Sequence, residues 1–502
     1  RDQTEFYIDL QTGFLEEMRI FLADSLGVQV PMTGTNWFTG PEDVYVERNM
    51  DYVDNHSYWD HPQFPSQPWS PTDWKINNTP MLTAPDGTID NLFSGLRIQG
   101  KPYTVSENNH AFPNQFRAEL LPVTTSYLSF NDADGYMVFT YSDSWDWDLN
   151  MVNGFFDTHR NSSFMGSFPL YAYVFRNYLI DPGTSVVNLS YSKEDILGMP
   201  LYIEEWWRPH YPYDPQLAYT HRLEMSVDQE EGIDPGLLPP PSPGPYELSG
   251  GQVGWNKEGS LVINTERFAS ITGFLNTLAP LETDRMELVS GSDFGSVAWL
   301  SLVDSALDVS SRSLLAIASK MNNTGMIWDG TNTVHNNWGI EPSLVCPLQL
   351  ELKLRTTYSH MRITPLDTEG IPRMAEADTV PVDSSGIAVI SLDQGEDRTL
   401  WYAVEAMDIQ EVVDTSTHAP VYLAAMSLTC YPNPAGREIC FETNMPLQDP
   451  QILVIRDLNG REVFRGAFRE TLRVDTSKLP GGIYCYQLTG RNPVSGRFAV
   501  AW

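Results

Sequence analysis

Cysteine, basic side chains and long apolar runs are all scarce in this chain. Four cysteines among 502 residues make no disulfide framework, and with no Cys-x-x-Cys pair they make no zinc site of the common kind. Three of them, Cys430, Cys440 and Cys485, stand near the C-terminus, where one bridge is allowed but the spacing does not choose the pair. Only 31 lysines and arginines face 65 aspartates and glutamates, a formal net charge of −34. That charge repels phosphate backbones and anionic membranes, which excludes a nucleic-acid partner. No run of about 18 apolar residues occurs, so no helix is expected to span a bilayer. The sequence opens Arg1-Asp2-Gln3, without an initiator Met or a signal peptide, so the natural N-terminus is expected to lie outside it.

What is present suits a globular body of two to four domains. Hydrophobic residues make up 41% and charged residues 19%, far from a disordered composition. The 14 Trp, 23 Tyr and 22 Phe offer flat apolar faces of the kind that take sugar rings. From residue 420 onward nine basic residues meet seven acidic ones, so the negative charge belongs to the part before it and the tail is a different module.

Residues 1–182 read as alternating helix and strand. Phe6, Leu10, Phe14, Met18, Phe21 and Leu22 form a helical stripe that Gly27 stops. Strands are expected at residues 28–32, 51–54, 102–106 and 136–141, with helices at 115–128 and 168–178. Short apolar strands separated by helices indicate a parallel sheet or barrel, and four such units make half of a (β/α)8 barrel, strands five to eight. Residues 183–419 change to alternating strands, among them 260–264, 296–300, 314–318, 349–354, 387–390 and 400–404, as expected of an all-β sandwich. This part includes a stiff segment, 235–245, with six prolines. Residues 420–502 form a further small β-sandwich.

In a parallel barrel the chemistry gathers at the C-terminal strand ends. Those ends carry Asn36 and Trp37, then His56, Tyr58 and Trp59, then Glu107, Asn108 and His110, then Trp145 and Trp147. Such a rim suits a carbohydrate, with aromatics to stack on rings and amides or acids to bond hydroxyls. Glu107, after its expected strand, is placed to attack an anomeric carbon as nucleophile. His56 and Tyr58 are placed to orient it, Trp145 and Trp147 to floor the sugar site, and Trp69 and Trp74 to extend the cleft. A strand-end Glu also commonly serves only in a salt bridge. His56 and His61 lack the spacing of a metal pair, Asp132, Asp134 and Gly135 make a turn and no complete calcium loop, and no nucleotide-binding or Ser-nucleophile motif occurs. No cofactor is expected.

Gly100-Lys101-Pro102-Tyr103-Thr104-Val105-Ser106-Glu107-Asn108 resembles the seventh strand of the clan A glycoside hydrolases, whose end carries the nucleophilic Glu. Asp54-Asn55-His56-Ser57-Tyr58-Trp59 resembles their sixth strand, and Thr140-Tyr141-Ser142-Asp143-Ser144-Trp145 their eighth. The resemblance covers about residues 1–180 and implies a retaining mechanism with Glu107 as nucleophile. It also implies an acid/base Glu at the end of the fourth strand, which would precede Arg1. Glu5, Glu16 and Glu17, on or beside the first helix, do not fit that role. A separate N-terminal segment would then complete the barrel. The middle module, with Trp255-Asn256, Asn323-Thr324-Gly325-Met326-Ile327-Trp328 and Trp338-Gly339, is similar to sandwiches that buttress such barrels.

Tyr431-Pro432-Asn433-Pro434-Ala435, Val454-Ile455-Arg456-Asp457-Leu458-Asn459-Gly460-Arg461 and Leu479-Pro480-Gly481-Gly482-Ile483-Tyr484 resemble the C-terminal sorting domain of the Bacteroidota type IX secretion system. This implies that residues 420–502 engage the secretion machinery and that the protein is secreted or anchored at the outer-membrane surface. The functional expectation is a secreted retaining glycoside hydrolase acting on a polysaccharide or oligosaccharide. The alternative is a non-catalytic cell-surface glycan-binding or structural protein on a degenerate barrel. A peptidase lacks any Cys/His or Ser/His/Asp pattern here.

Overall fold

A computed structural model describes residues 1–408 except 39, 85–86, 143–145, 147, 200–212, 230–232 and 234, and residues 428–500 except 444–449, 458–459 and 490–493. They fall into two compact units, Arg1–Asp408 and Ile409–Trp502.

The first unit opens with helix α1 (Asp2–Ile20). Its apolar stripe is where the sequence puts it, yet Phe6, Leu10, Phe14 and Phe21 are exposed and only Thr4 and Ile8 are buried. Residues 28–32 do not form the expected strand. Met32 and Asp51 are joined by one backbone bond, Asp51 N–H to Met32 O, and one to the side chain, Met32 N–H to Asp51 Oδ2, and Pro31 brings no N–H to extend them into a ladder.

Three of the four expected strands are formed, with shifted bounds: in place of 51–54, 102–106 and 136–141 stand β1 (Val53–Trp59), β2 (Tyr103–His110) and β3 (Gly135–Val138). They make one parallel sheet in the order β1-β2-β3. Among the described residues the parallel elements are this sheet and a separate pair, β4 (Val186–Ser192) with β5 (Arg222–Gln229). Met225 of β5 bridges to Ile98, just before β2, so β4 and β5 pack with the parallel layer although the sequence pattern groups them with the sandwich.

Side-chain alternation explains the two faces of the sheet. Val53, Asn55, Ser57 and Trp59 are buried, and His56 and Tyr58 on the other face are half-buried. On β2 the alternation breaks. Val105 sits opposite Asn55 but Glu107 sits opposite His56, so Ser106 is an extra residue, a β-bulge. Without it Glu107 would follow Val105 into the buried layer. With it, Ser106 and Glu107 both reach the more open face while Asn108, Asn109 and His110 are buried. Glu107 therefore lies inside a strand that runs on to His110, and not at its tip. Behind the sheet lie α2 (Leu120–Phe130), buried at all eleven positions, and α3 (Ser162–Arg176).

The antiparallel part comprises β6 (Tyr246–Leu248), β7 (Val253–Asn256), β8 (Ser260–Asn264), β9 (Phe268–Phe274), β10 (Leu281–Glu282), β11 (Met286–Gly291), β12 (Phe294–Ser301), β13 (Arg312–Ser319), β14 (Met321–Thr324), β15 (Ile340–Val345), β16 (Gln349–Arg355), β17 (His360–Pro365), β18 (Asp378–Pro381), β19 (Ile387–Asp393) and β20 (Trp401–Met407). A nine-stranded sheet, β18-β17-β20-β13-β12-β9-β8-β7-β6, faces a four-stranded one, β10-β11-β16-β19. Ile271, Val297, Trp299, Leu315, Leu352 and Ile390 fill the space between. The large sheet's other face is covered by the parallel layer: Tyr127 of α2 packs on Trp255, Trp255 Nε1 donates to Leu82 O at 2.9 Å, and Trp401 Nε1 donates to Gly166 O at 2.6 Å. Covered on both sides, β12 is buried at every residue. β14 and β15 form a separate two-stranded arm.

The second unit holds β21 (Leu428–Tyr431), β22 (Glu438–Thr443), β23 (Gln451–Asp457), β24 (Glu462–Phe468), β25 (Thr471–Asp475), β26 (Gly482–Thr489) and β27 (Val494–Val500). Sheets β21-β22-β25 and β24-β23-β26-β27 close over Ile439, Phe441, Leu453, Ile455, Tyr486 and Phe498. The β23–β24 hairpin turns at Gly460, φ 79°, with Gly460 N–H donating to Asp457 O at 3.0 Å. All four cysteines are free. Cys430 lies opposite Phe441 and Tyr431 opposite Cys440, so Cys430 and Cys440 point to opposite faces and no bridge forms.

Candidate functional site

The bulge delivers Glu107 to a ring of polar and aromatic groups. Tyr58 Oη donates to Glu107 Oε2 at 2.6 Å, and Asn36 Nδ2 donates to Oε1 at 3.3 Å. The same Asn36 amide reaches Ser106 Oγ at 3.3 Å. His56 Nδ1 bonds the Asn36 carbonyl. A carbonyl only accepts, so the proton sits on Nδ1. Trp37, half-exposed, meets His56 edge-on at 5.2 Å. Burial, then the bond to Glu107 and its charge, push the Tyr58 hydroxyl pKa upward, so it remains a neutral donor. Burial likewise raises Asp54 and the charge of Glu107 adds to this, whereas hydroxyls of Ser106 and Thr104 oppose it.

Beyond Tyr58 an aromatic wall continues. Tyr58 packs on Phe156 at 4.9 Å, His61 at 5.6 Å and Phe139 at 6.2 Å. His61 meets Trp69 at 5.7 Å, and Trp69 meets Phe64 at 5.0 Å. Desolvation among these rings lowers the His61 pKa, against the bond of its Nδ1 to Pro62 O. Trp69 is 60% exposed. Together these groups form a one-sided platform with a carboxylate at its edge, chemistry suited to a neutral polyhydroxylated ring.

Asn36, Trp37, His56, Tyr58 and Glu107 thus come together as a group. Three other candidates are spent in the buried layer. Trp59 Nε1 donates to Thr79 O at 2.9 Å. Asn108 Nδ2 donates to Ser57 O at 2.6 Å, and its Oδ1 accepts from Tyr136 Oη at 2.8 Å. His110 is fully buried with Nε2 3.0 Å from Glu119 Oε1, whose carboxylate also accepts from Met81 N and Leu82 N. Burial drives the His110 pKa down and lifts that of Glu119 to about 8, against the backbone N–H groups of Met81 and Leu82 that favour the carboxylate. Trp145 and Trp147 lie outside the described residues. The wall residues His61, Phe139 and Phe156 carry no sequence signal beyond the local density of aromatics, because packing alone brings their loops to Tyr58. Among the described residues no cluster of His, Cys, Asp or Glu is suited to a metal, and no helix is long and apolar enough to cross a membrane.

Comparison with known proteins bears on the second unit. Residues 429–500 match the family described as Secretion system C-terminal sorting domain. No curated protein matches the chain. Matching solved structures include "Biofilm associated protein - BSP domain" (11% identity, 31% of this chain and 27% of that one, TM-score 0.13). Dimeric latent PorU from Porphyromonas gingivalis gives 12%, 47% and 24%, with a TM-score of 0.15. The beta-D-glucuronidase of Dictyoglomus thermophilum gives 8%, 44% and 45%, with a TM-score of 0.17. The chain spans less than half the length of each of these, and likeness at that level carries no argument about the first unit. The tail does carry one: it is the sorting domain by which the type IX system exports its cargo, and this chain is a secreted or cell-surface protein that engages that machinery.

Proposed function

We propose that the first unit is the C-terminal half of a clan A glycoside hydrolase barrel with its sandwich, and that Glu107 is the nucleophile of a retaining reaction on a polysaccharide. One observation carries this reading: the Ser106 bulge turns Glu107 out of the core, and Tyr58 and Asn36 each hold one of its oxygens beside an aromatic platform. In the reaction a Glu107 oxygen bonds the anomeric carbon as the glycosidic C–O bond breaks. The leaving oxygen takes a proton from the acid/base carboxyl. Water, deprotonated by that same group, then cleaves the glycosyl ester, and configuration is retained. The acid/base is assigned to polypeptide upstream of Arg1. The exposed α1 stripe and the open, three-stranded sheet support further strand–helix units packing there.

The test needs no acid/base. The dinitrophenolate or fluoride of a 2-deoxy-2-fluoroglycosyl donor departs unprotonated as Glu107 takes the glycosyl group, so this chain alone is expected to trap a glycosyl ester at Glu107. Peptide mass spectrometry locates it, and a panel of gluco-, galacto-, manno-, xylo- and glucurono-configured donors covers the unknown sugar. No adduct with any donor removes the enzyme reading. The alternative, a non-catalytic glycan-binding or structural protein on a degenerate barrel, draws on the aromatic wall beside Tyr58, which needs no nucleophile. Glycan binding without any adduct is the outcome that alternative requires.

A further inference from the structure

The sandwich reaches into the site through its arm. Residues 321–345 leave the large sheet as β14, a connecting segment and β15, and lie along the loops that build the aromatic wall. Asn323 Nδ2 donates to Val152 O at 2.7 Å, and Val152 N–H donates back to Asn323 Oδ1 at 3.1 Å. Ile76 N–H donates to Asn332 O at 2.8 Å, and Asn332 Nδ2 to Ile76 O at 2.9 Å. Trp74 Nε1 donates to His335 O at 3.0 Å, and His335 Nδ1 to Thr72 O at 2.7 Å. These are paired bonds to backbone on both sides of the wall, a clamp and not a glancing contact.

At the centre of the clamp is Trp338. Its ring stacks on Trp74 at 5.2 Å and 22°, and lies edge-on to Phe155 at 5.4 Å. Phe155 abuts Phe64 at 5.9 Å, and Phe64 abuts Trp69. Trp69 has a left-handed backbone, φ 59°, which a bulky residue keeps only where its surroundings enforce it. Even so its ring is presented mostly to solvent, on the His61 side of the wall that leads to Tyr58 and Glu107. A large ring held in a costly conformation and left uncovered is what a binding platform requires.

The geometry points to a second ligand subsite, a sugar-ring platform on Trp69 away from Glu107, seated by the sandwich arm with Trp338 as its positioning residue. This rests on the carbohydrate reading of the site but not on the chemistry of Glu107. The full chain, with variants Trp69→Ala, Trp338→Ala, Trp338→Phe and Asn332→Ala, is compared by hydrogen exchange across residues 61–76 and by affinity electrophoresis in xylan, mixed-linkage β-glucan and galactomannan.

Trp338→Ala is expected to speed exchange in 61–76 at least tenfold while β12 and β13 stay protected, and Asn332→Ala, which removes no core group, to speed it less. At least one polysaccharide is expected to retard the wild type. Trp69→Ala and Trp338→Ala should weaken that binding at least tenfold, and Trp338→Phe should restore it. Unchanged exchange in Trp338→Ala overturns the positioning role, and so does binding that survives it. Binding that survives Trp69→Ala, or no binding to any of the three polysaccharides, overturns the platform. A Glu107 that takes no label while the Trp69-dependent binding persists rejects the hydrolase reading and leaves the platform standing.

Discussion

Tyr58 holds Glu107 diagonally: its hydroxyl bonds Oε2 at 2.6 Å although the ladder sets His56 opposite Glu107. Diagonal neighbours lie ~7–8 Å apart, within reach of a tyrosine. Because Tyr58 stays protonated, Tyr58→Phe removes one hydrogen bond and is expected to cost about 0.5–1.5 kcal/mol by urea denaturation. Labelling of Glu107 by the matching fluoroglycosyl donor should slow at least tenfold. Glu107→Gln, which keeps an acceptor for Tyr58, should abolish labelling and shift the thermal midpoint by no more than about 2 °C. A larger drop would mark Glu107 as a structural group.

Glu42, buried near the start of the helix Pro41–Val46, has its pKa raised by burial from 4.5 to about 7, with the charge of Asp43 adding to the shift. A carboxyl with a folded pKa above its unfolded one binds its proton more tightly when folded. Its stabilising contribution is complete below 4.5 and is lost as pH climbs towards 7. Glu42→Gln is therefore expected to be about 1–3 kcal/mol more stable than the wild type at pH 8 and close to it at pH 4.5. Urea midpoints at the two pH values measure this, and an equal difference at both would remove ionisation as the cause.

The α1 stripe makes a contrasting prediction. Leu10 and Phe14 are each 58% exposed, so Leu10→Glu with Phe14→Glu should change stability by under ~1 kcal/mol. The same pair should sharply lower self-association in light scattering, because it breaks an exposed apolar patch. Unfolding of the variant would show that the stripe is covered after all.

The two compact units are expected to fold independently. Removing residues 409–502 should leave the first unit's thermal transition within about 2 °C, since its cores are complete without the tail. The truncated protein should no longer reach the cell surface or medium, which cell fractionation reads directly.

Periodicity and turn chemistry, both local, are legible in one sequence. The helical stripe from Phe6 to Phe21, the presence of strands β1, β2 and β3, and the Gly460 hairpin of the sorting domain all follow from residues within a few positions of one another. Which way a strand residue faces is set by register against a partner some fifty residues away. No local pattern announces that Ser106 is a bulge, yet that one extra residue separates a half-open Glu107 from a buried Asn108 and His110. The burial of Trp59, the open side of α1 and the seating of Trp74 by Trp338 likewise depend on which surfaces meet, a property of packing between distant segments. The amino-acid order therefore settled most element types and the module at the C-terminus, and it singled out Glu107 as the carboxylate to test. Tertiary structure alone decided which neighbours that carboxylate keeps, because facing, cover and clamp are created only when remote parts of the chain come together.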